Sequence, residues 1–212
     1  MNEQSARPLI VSDCDEVLLH MVSHFRDWLA EEEGVEFIME GADFSSAMRY
    51  ADSGDRLEQE VIWRLLNKFF DNEMDRQHPI DGAVEALNTL AERADVVILT
   101  NLLDHRRDKR ALQLAKYGIK AEVYTNQGPK GPAIRAIIDE HNPSHTIFID
   151  DLPQHHRSAR ETVPGITTLH LCGEPMLAPH IDCAHKAGHA DARIDNWAEA
   201  LPWILERLEK TD

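Results

Sequence analysis

Short apolar runs alternate with stretches of helical periodicity over most of the chain. Runs that are apolar at successive positions predict strands buried on both faces of a sheet, and they occur at 8–12, 95–101, 121–126, 145–151 and 165–171. Helical stretches follow them, at 81–93, 104–117, 130–141, 154–161 and 195–210. Strands that alternate with helices predict an α/β fold, in which helices cover both faces of a mostly parallel sheet.

One long segment interrupts this alternation directly after the first strand. It shows no convincing strand but has helical patterns, at 17–33, 41–51 and 55–70. In the last of these patterns apolar residues recur every four positions, which predicts one buried helix face. We therefore predict a core formed by 1–18 and 79–212, with a small α-helical subdomain inserted at 19–78.

Composition and charge narrow the class of protein. The chain has 212 residues, of which 42% are hydrophobic and 28% charged, as in soluble globular proteins. A net charge of −16 argues against a nucleic-acid partner or an anionic membrane surface. We expect no signal peptide, and no apolar stretch approaches the length that spans a membrane. Its three cysteines are too few for a disulfide framework, and we predict a cytoplasmic protein.

Polar residues collect where the predicted strands end. The pairs are Asp13 and Asp15, Thr100 and Asn101, and Asp150 and Asp151. Because ligands of an open parallel sheet bind at the carboxyl ends of its strands, we expect these side chains to surround one crevice. Lys130 precedes a predicted helix on the same edge and adds an ammonium group.

These residue types suit phosphoryl transfer. Asp13 and Asp15 repel each other at this spacing, and a bound cation is the simplest way to offset that repulsion. Carboxylate oxygens are preferred ligands of Mg²⁺. One aspartate can attack phosphorus and form an acyl-phosphate. A second acid, two residues on, can protonate the leaving oxygen and later activate water.

The ordered motifs resemble those of a known family. The segments D-C-D-E-V (13–17), V-V-I-L-T-N (96–101) and I-F-I-D-D (147–151), together with Lys130, are similar to the four motifs of the haloacid dehalogenase superfamily. The insertion lies where that family carries its first-position cap. The resemblance implies a Rossmann-like α/β core, with helices flanking a mostly parallel sheet, and a small α-helical cap.

The resemblance also implies catalytic roles. Asp13 would be the nucleophile and Asp15 the general acid/base. Thr100 and Lys130 would hold the transferring phosphoryl group, with Asn101 as a further substrate-binding residue. Lys130 would in addition reduce the repulsion among the acids.

A metal site follows from the same resemblance. Asp13, the backbone carbonyl of Asp15, and Asp151 would bind Mg²⁺. Many relatives carry another acid four residues beyond the first motif-four ligand, but this chain has His155 there. That departure favours Asp150 as the second motif-four acid.

The expected activity is hydrolysis of a small phosphorylated metabolite. The dehalogenase branch lacks the second motif-one aspartate, so Asp15 favours a phosphatase. A phosphotransferase or mutase could use the same Asp13 chemistry. Receiver domains also combine strand-end acids, a hydroxyl and a lysine, but they are shorter and have no helical insertion. The sequence does not define the substrate or the oligomeric state.

For several of these residues the sequence also allows a role outside catalysis. Thr100 could cap the helix that follows it. Lys130 lies in Q-G-P-K-G-P, a loop composition that also suits a solvated surface lysine. Asp150 could be a structural acid. Arg106 and Arg107 could bind a substrate anion or lie on a solvated helix face.

Overall fold

The computed structural model describes residues 6–41 and 43–209. Its strands are β1 (Leu9–Ser12), β2 (Val35–Phe37), β3 (Met48–Tyr50), β4 (Asp95–Thr100), β5 (Glu122–Thr125), β6 (Thr146–Asp150), β7 (Thr167–His170) and β8 (Ala192–Arg193). Its α-helices are α1 (Val22–Trp28), α2 (Gln59–Asn72), α3 (Ala83–Ala91), α4 (Arg107–Lys116), α5 (Gly131–His141), α6 (Pro153–Thr162) and α7 (Trp197–Glu209).

Six of these strands form one parallel sheet in the order β5-β4-β1-β6-β7-β8. Along β1, alternate residues point to opposite faces. Ile10 packs in the cluster that includes residues of α3 and α7. Leu9 and Val11 pack in the opposite cluster, with residues of α5 and α6. Both faces of the sheet are therefore covered, and the predicted α/β fold is confirmed.

The inserted segment has a hydrophobic cluster of its own. Val22, Phe25, Trp28 and Phe69 are buried in it. Phe25 contacts the rings of both Trp28 and Phe69, with centroids 6.0 and 5.1 Å away. Cys172 and Leu177, from the loop after β7, are buried in the same cluster. We call the inserted segment the cap, and that loop contributes to its packing.

The cap is not wholly helical, which corrects the expectation from the sequence. Strands β2 and β3 pair antiparallel, and the helix predicted at 41–51 is wrong. That stretch forms a short 3₁₀ turn at Phe44–Ala47 and then β3. The inward-facing Val35, Phe37 and Met48 are buried. A strand of three residues is too short to produce a recognisable period-two pattern.

The first helix begins later than its apolar stripe predicts. Glu16 has a left-handed φ of 61°, and the amides of Leu18 and Leu19 both donate to the carbonyl of Cys14. This turn delays α1 until Val22. A short π-helical segment then continues the helix to Gly34, whose φ of 64° ends it as predicted. None of the helices formed by the described residues combines the length and apolarity that a membrane crossing requires.

Candidate active site

The central strands of the sheet bring the predicted residues together. Asp13 follows β1, Thr100 ends β4 and Asp150 ends β6, and these three strands are neighbours. A cavity of about 350 Å³ opens at this edge, beneath the cap. The side chains predicted for the site that line this cavity are Asp13, Asp15, Thr100, Asn101 and Asp151.

Lys130 is a buried residue and not a solvated one. It directly precedes α5 and is 0% exposed. Its Nζ lies 2.8 Å from Asp13 Oδ1 and 2.7 Å from Asp150 Oδ2. Burial acts to lower the pKa of Lys130, but the two carboxylates outweigh it and raise that pKa. A permanent ammonium group therefore joins two of the acids, and its direct contact with a phosphoryl group stays a prediction.

One of the two carboxylate oxygens of Asp13 is held by hydrogen bonds. Its Oδ1 accepts hydrogen bonds from the Cys14 amide, at 2.7 Å, and from Lys130. No residue in the described part of the chain donates a hydrogen bond to Oδ2. Burial raises the pKa of Asp13 to about 7, although the charge of Lys130 opposes this rise. The carboxylate is thus fixed through one oxygen and keeps the other for a ligand.

Asp150 and Asp151 differ in how they are bound. Asp150 Oδ2 accepts from Lys130, and its Oδ1 accepts from the Leu152 amide at 2.8 Å. Burial acts to raise the pKa of Asp150, but the charge and hydrogen bond of Lys130, together with His155 and His156, lower that pKa overall. The Asp151 carboxylate accepts no hydrogen bond from the described residues. Asp150 is therefore part of the local structure, and Asp151 has the freer carboxylate.

The acids form a group that suits a hard cation. One oxygen from each of Asp13, Asp150 and Asp151 lies within 4.8 Å of the others. Burial, and then the charges of Asp150 and Asp13, raise the pKa of Asp151 well above its usual range. A divalent cation would relieve this electrostatic penalty, and a set of carboxylate oxygens is what Mg²⁺ prefers. The donor set therefore fits the expected metal.

Two partners of Asp15 were not predicted from the sequence. Arg110 Nη2 donates to Asp15 Oδ1 and Oδ2, at 2.9 and 3.1 Å. Gln77 donates to Oδ1 at 3.0 Å and accepts from Arg110 at 3.1 Å. Arg110 and Gln77 are both fully buried. Arg110 is one of several cations on α4, and nothing in its sequence context distinguishes it from the exposed ones.

Thr100 and Asn101 both line the cavity. Thr100 does not cap a helix, because the next helical turn begins only at Asp104, so that alternative is wrong. Asn101 donates to the carbonyl of Gly128 at 3.1 Å and accepts from Asn126 at 2.8 Å. These bonds fix its side-chain amide beside the acids.

His155 lines the same cavity. It is 4% exposed, and its Nε2 lies 3.5 Å from Asn101 Nδ2. Burial lowers the pKa of His155 below its usual range, so the ring is favoured in its neutral form. A neutral imidazole adds a polar group but no charge to the cavity wall.

Arg106 is engaged by the cap. Its Nε donates to Asp71 Oδ1 at 2.8 Å, and its Nη2 donates to Asn67 Oδ1 at 3.0 Å. Both partners belong to α2, so this arginine ties the cap to the core. Arg107 is exposed and faces Asp108.

Solved structures of other proteins share this architecture. A conserved haloacid dehalogenase-like protein of unknown function from Agrobacterium tumefaciens has a TM-score of 0.66 and 20% identity, over 95% of this chain and 98% of its own. A haloacid dehalogenase-like hydrolase from Streptococcus pneumoniae has a TM-score of 0.66 and 16% identity, over 94% and 98%. A HAD family hydrolase from Deinococcus radiodurans, with bound phosphate and sodium, has a TM-score of 0.62 and 19% identity, over 93% and 94%.

Sequence comparisons add no closer relative. No protein-family model matches the chain, and a search of curated proteins finds no match. The structural likeness covers nearly the whole of each chain. The chain therefore adopts the fold of the haloacid dehalogenase superfamily.

Proposed function

We propose that this protein is a Mg²⁺-dependent phosphatase that hydrolyses a phosphate monoester of a small molecule. The observation that carries this proposal is the state of Asp13. One oxygen is fixed by the Cys14 amide and the buried Lys130, and the carboxylate lines a cavity with Asp15 and Asp151. This arrangement suits an attacking carboxylate beside an acid and a cation site.

In the first step, Asp13 Oδ2 attacks phosphorus. A bond forms between this oxygen and phosphorus while the bond from phosphorus to the ester oxygen breaks. Asp15 gives its proton to the departing alkoxide, and the alcohol leaves. Arg110 and Gln77 hold the Asp15 carboxyl in position for this transfer.

In the second step, a water molecule attacks the phosphorus of the aspartyl-phosphate. Asp15 now accepts a proton from that water, the bond between Asp13 and phosphorus breaks, and inorganic phosphate leaves. The hydroxyl of Thr100 donates a hydrogen bond to a phosphoryl oxygen. Lys130 stabilises the Asp13 carboxylate each time that it is released.

Asp13, Asp151 and the backbone carbonyl of Asp15 would hold Mg²⁺, with Asp150 as the neighbouring acid. When bound, the ion neutralises the negative charge of the phosphoryl oxygens and of the carboxylates. Lys130 alone does not balance the acids, because it already pairs with Asp13 and Asp150. We therefore expect activity to depend fully on a hard divalent cation.

The test is an assay of the purified protein against p-nitrophenyl phosphate and a panel of phosphorylated metabolites. We expect turnover with Mg²⁺, none in excess EDTA, and recovery when Mg²⁺ is added back. The hydrolysis rate of the Asp13→Asn variant should equal that of a reaction without enzyme. Asp108→Asn, at an exposed position on α4, should keep wild-type activity. Full activity in chelator, or in Asp13→Asn, would contradict the proposal.

A further inference from the structure

The cap gives the cavity an apolar wall above the acids. The wall includes Val22, Met39, Phe44, Trp63 and Phe70 of the cap and Leu177 of the loop that follows β7. We propose that the leaving group of the substrate is apolar, so that the enzyme hydrolyses phosphate monoesters of aliphatic or aromatic alcohols. This inference rests on the proposed phosphatase function and specifies the substrate class of that site.

The cavity has no cation available to a second anionic group. No lysine or arginine of the described residues lines it. Arg106 is paired with Asp71, Arg110 with Asp15, and Lys130 is buried between two acids. Glu16 adds a further carboxyl to the cavity lining. A leaving group that carries a carboxylate or a second phosphate would therefore be repelled.

The cavity is also poorly suited to the hydroxyl groups of a sugar. Its polar residues other than the acids are Thr100, Asn101 and His155, which come from the core. Asn101 already bonds Gly128 and Asn126. A hydroxyl placed against the cap wall would lose its bonds to water and gain none, which is unfavourable. An alkyl or aryl group in the same place binds favourably, because removing its apolar surface from water lowers the free energy.

The apolar wall is continuous with the packed interior of the cap. Val22 and Leu177 belong to the buried cluster of the cap, and Met39 and Phe44 pack against that cluster. Trp63 completes the wall but is 59% exposed. A bound leaving group would cover part of this exposed ring, which gives it an apolar contact at the edge of the cavity.

Alkyl phosphates test this inference with the chemistry held constant. The alcohols released from ethyl, butyl and hexyl phosphate have similar acidity, so only the buried apolar surface changes along the series. Each fully buried methylene contributes about 0.8 kcal/mol, which is about a fourfold increase in kcat/KM. We expect kcat/KM to rise by about three- to fourfold per methylene until the cavity is filled. Sorbitol 6-phosphate, which has six carbons and five free hydroxyl groups, should be about a hundredfold poorer than hexyl phosphate.

A matched pair of variants locates the effect. Trp63→Ala removes an apolar side chain of the cavity and should lower the hexyl-to-ethyl ratio of kcat/KM by about threefold or more. Hydrolysis of ethyl phosphate should fall less than that of hexyl phosphate, because the shorter chain buries less apolar surface. Ile38→Ala is the control, because Ile38 is an exposed cap residue, 54% accessible, that does not line the cavity. Its ratio should match the wild type, and an equal fall in both variants would contradict the assignment of the wall.

Failure of this inference and failure of the proposed function give different results. Hydrolysis at the same rate for every chain length, or a preference for sorbitol 6-phosphate, would overturn the apolar class while leaving a phosphatase. Hydrolysis of no ester would overturn the phosphatase. In that case calorimetric titration with ethyl- and hexylphosphonate still decides the inference. Tighter binding of the longer chain supports it, and equal binding refutes it.

Discussion

At the scale of single residues, the site is governed by buried charge. Lys130 has no exposed surface and pairs with both Asp13 and Asp150. Asp151 has a similar degree of burial but no such pairing. Lys130 and Arg110 offset the charges of Asp13 and Asp15, whereas no cation of the described residues pairs with Asp151. We propose that a bound cation offsets this remaining charge.

The first prediction is that Mg²⁺ stabilises the protein more at pH 8 than at pH 5. Asp13 has a pKa of about 7 in the metal-free fold, against an ordinary value of 3.8. Its bound proton therefore favours the folded state at low pH, and this stability is lost as pH rises through 7. Mg²⁺ needs the deprotonated form. The Mg²⁺ concentration is fixed at about a hundredfold above the Kd measured at pH 8. At this concentration we expect Tm to rise by about 5 °C or more at pH 8 and much less at pH 5.

Scanning calorimetry with and without Mg²⁺ measures this difference. Asp151→Asn should flatten the dependence, because a neutral amide is a poorer ligand for a hard cation. Asp104→Asn, outside the acid group, serves as the control. Equal shifts in Tm at the two pH values would show that the acids do not bind the ion.

The second prediction concerns Arg110, which we assign as a positioning residue. Arg110 donates to both oxygens of Asp15 through Nη2 and to Gln77 through Nη1, and the ammonium group of lysine cannot reproduce this planar pair of donors. Arg110→Lys should therefore reduce kcat/KM for an alkyl phosphate by about tenfold or more, because alkoxide departure needs the proton of Asp15. p-Nitrophenyl phosphate should lose less, since p-nitrophenolate leaves without a proton.

Steady-state kinetics on both esters measures how much kcat/KM falls for each one. Arg107→Lys, at an exposed position on the same helix, should leave both rates unchanged. Equal losses on the two esters would mean that Arg110 supports the fold and does not act through Asp15.

At the scale of elements, the sequence predicts the core well and the cap less well. The core strands are apolar on both faces, so the runs that end at Ser12, Thr100 and Asp150 identify them directly. The hairpin of β2 and β3 has only three residues per strand, which is too short for periodicity to detect. The turn at Glu16 is held by hydrogen bonds between neighbouring backbone groups and needs a positive φ that glutamate rarely adopts, so residue propensities do not predict it.

The same limit applies to the site. Strand ends predict Asp13, Thr100 and Asp151, because in a parallel sheet all carboxyl ends meet at one edge. They do not predict Arg110 or Gln77, which reach Asp15 from a helix and from the chain that returns from the cap. Such contacts depend on how elements pack, and one sequence carries no direct sign of it.

The third prediction concerns the contact of α5 with α6. A Cβ at Gly131 would lie inside van der Waals contact with the Ser158 carbonyl oxygen and the Thr162 hydroxyl. Gly131→Ala should therefore lower the free energy of unfolding by about 1–3 kcal/mol. It should also reduce activity, because Gly131 follows Lys130 directly. Gly41→Ala, where a Cβ would meet nothing within 4 Å, is the matched control.

Urea denaturation and turnover of p-nitrophenyl phosphate measure the two effects. Gly41→Ala should stay within about 0.5 kcal/mol of the wild type and keep full activity. A Gly131→Ala variant with wild-type stability would show that the two helices are not in close contact at this point.

At the scale of the whole molecule, charge and polarity are unevenly distributed. The chain carries a net charge of −16, yet a buried ammonium group lies beneath the acids at the active edge of the sheet. The cap covers that edge with apolar side chains. In the reaction that we propose, the core would supply the catalytic groups and the cap would surround the leaving group.

The fourth prediction tests the central claim, that Asp13 attacks phosphorus. Asp15→Asn keeps the nucleophile but removes the base that activates water, so hydrolysis of the aspartyl-phosphate should slow by about a hundredfold or more. With Mg²⁺ and p-nitrophenyl phosphate, this variant should release a burst of p-nitrophenol near one equivalent per active site. Peptide mass spectrometry of the acid-quenched protein should find the phosphoryl group on Asp13. Turnover without a burst and without a phosphorylated Asp13, or a phosphoryl group on another residue, would contradict the account.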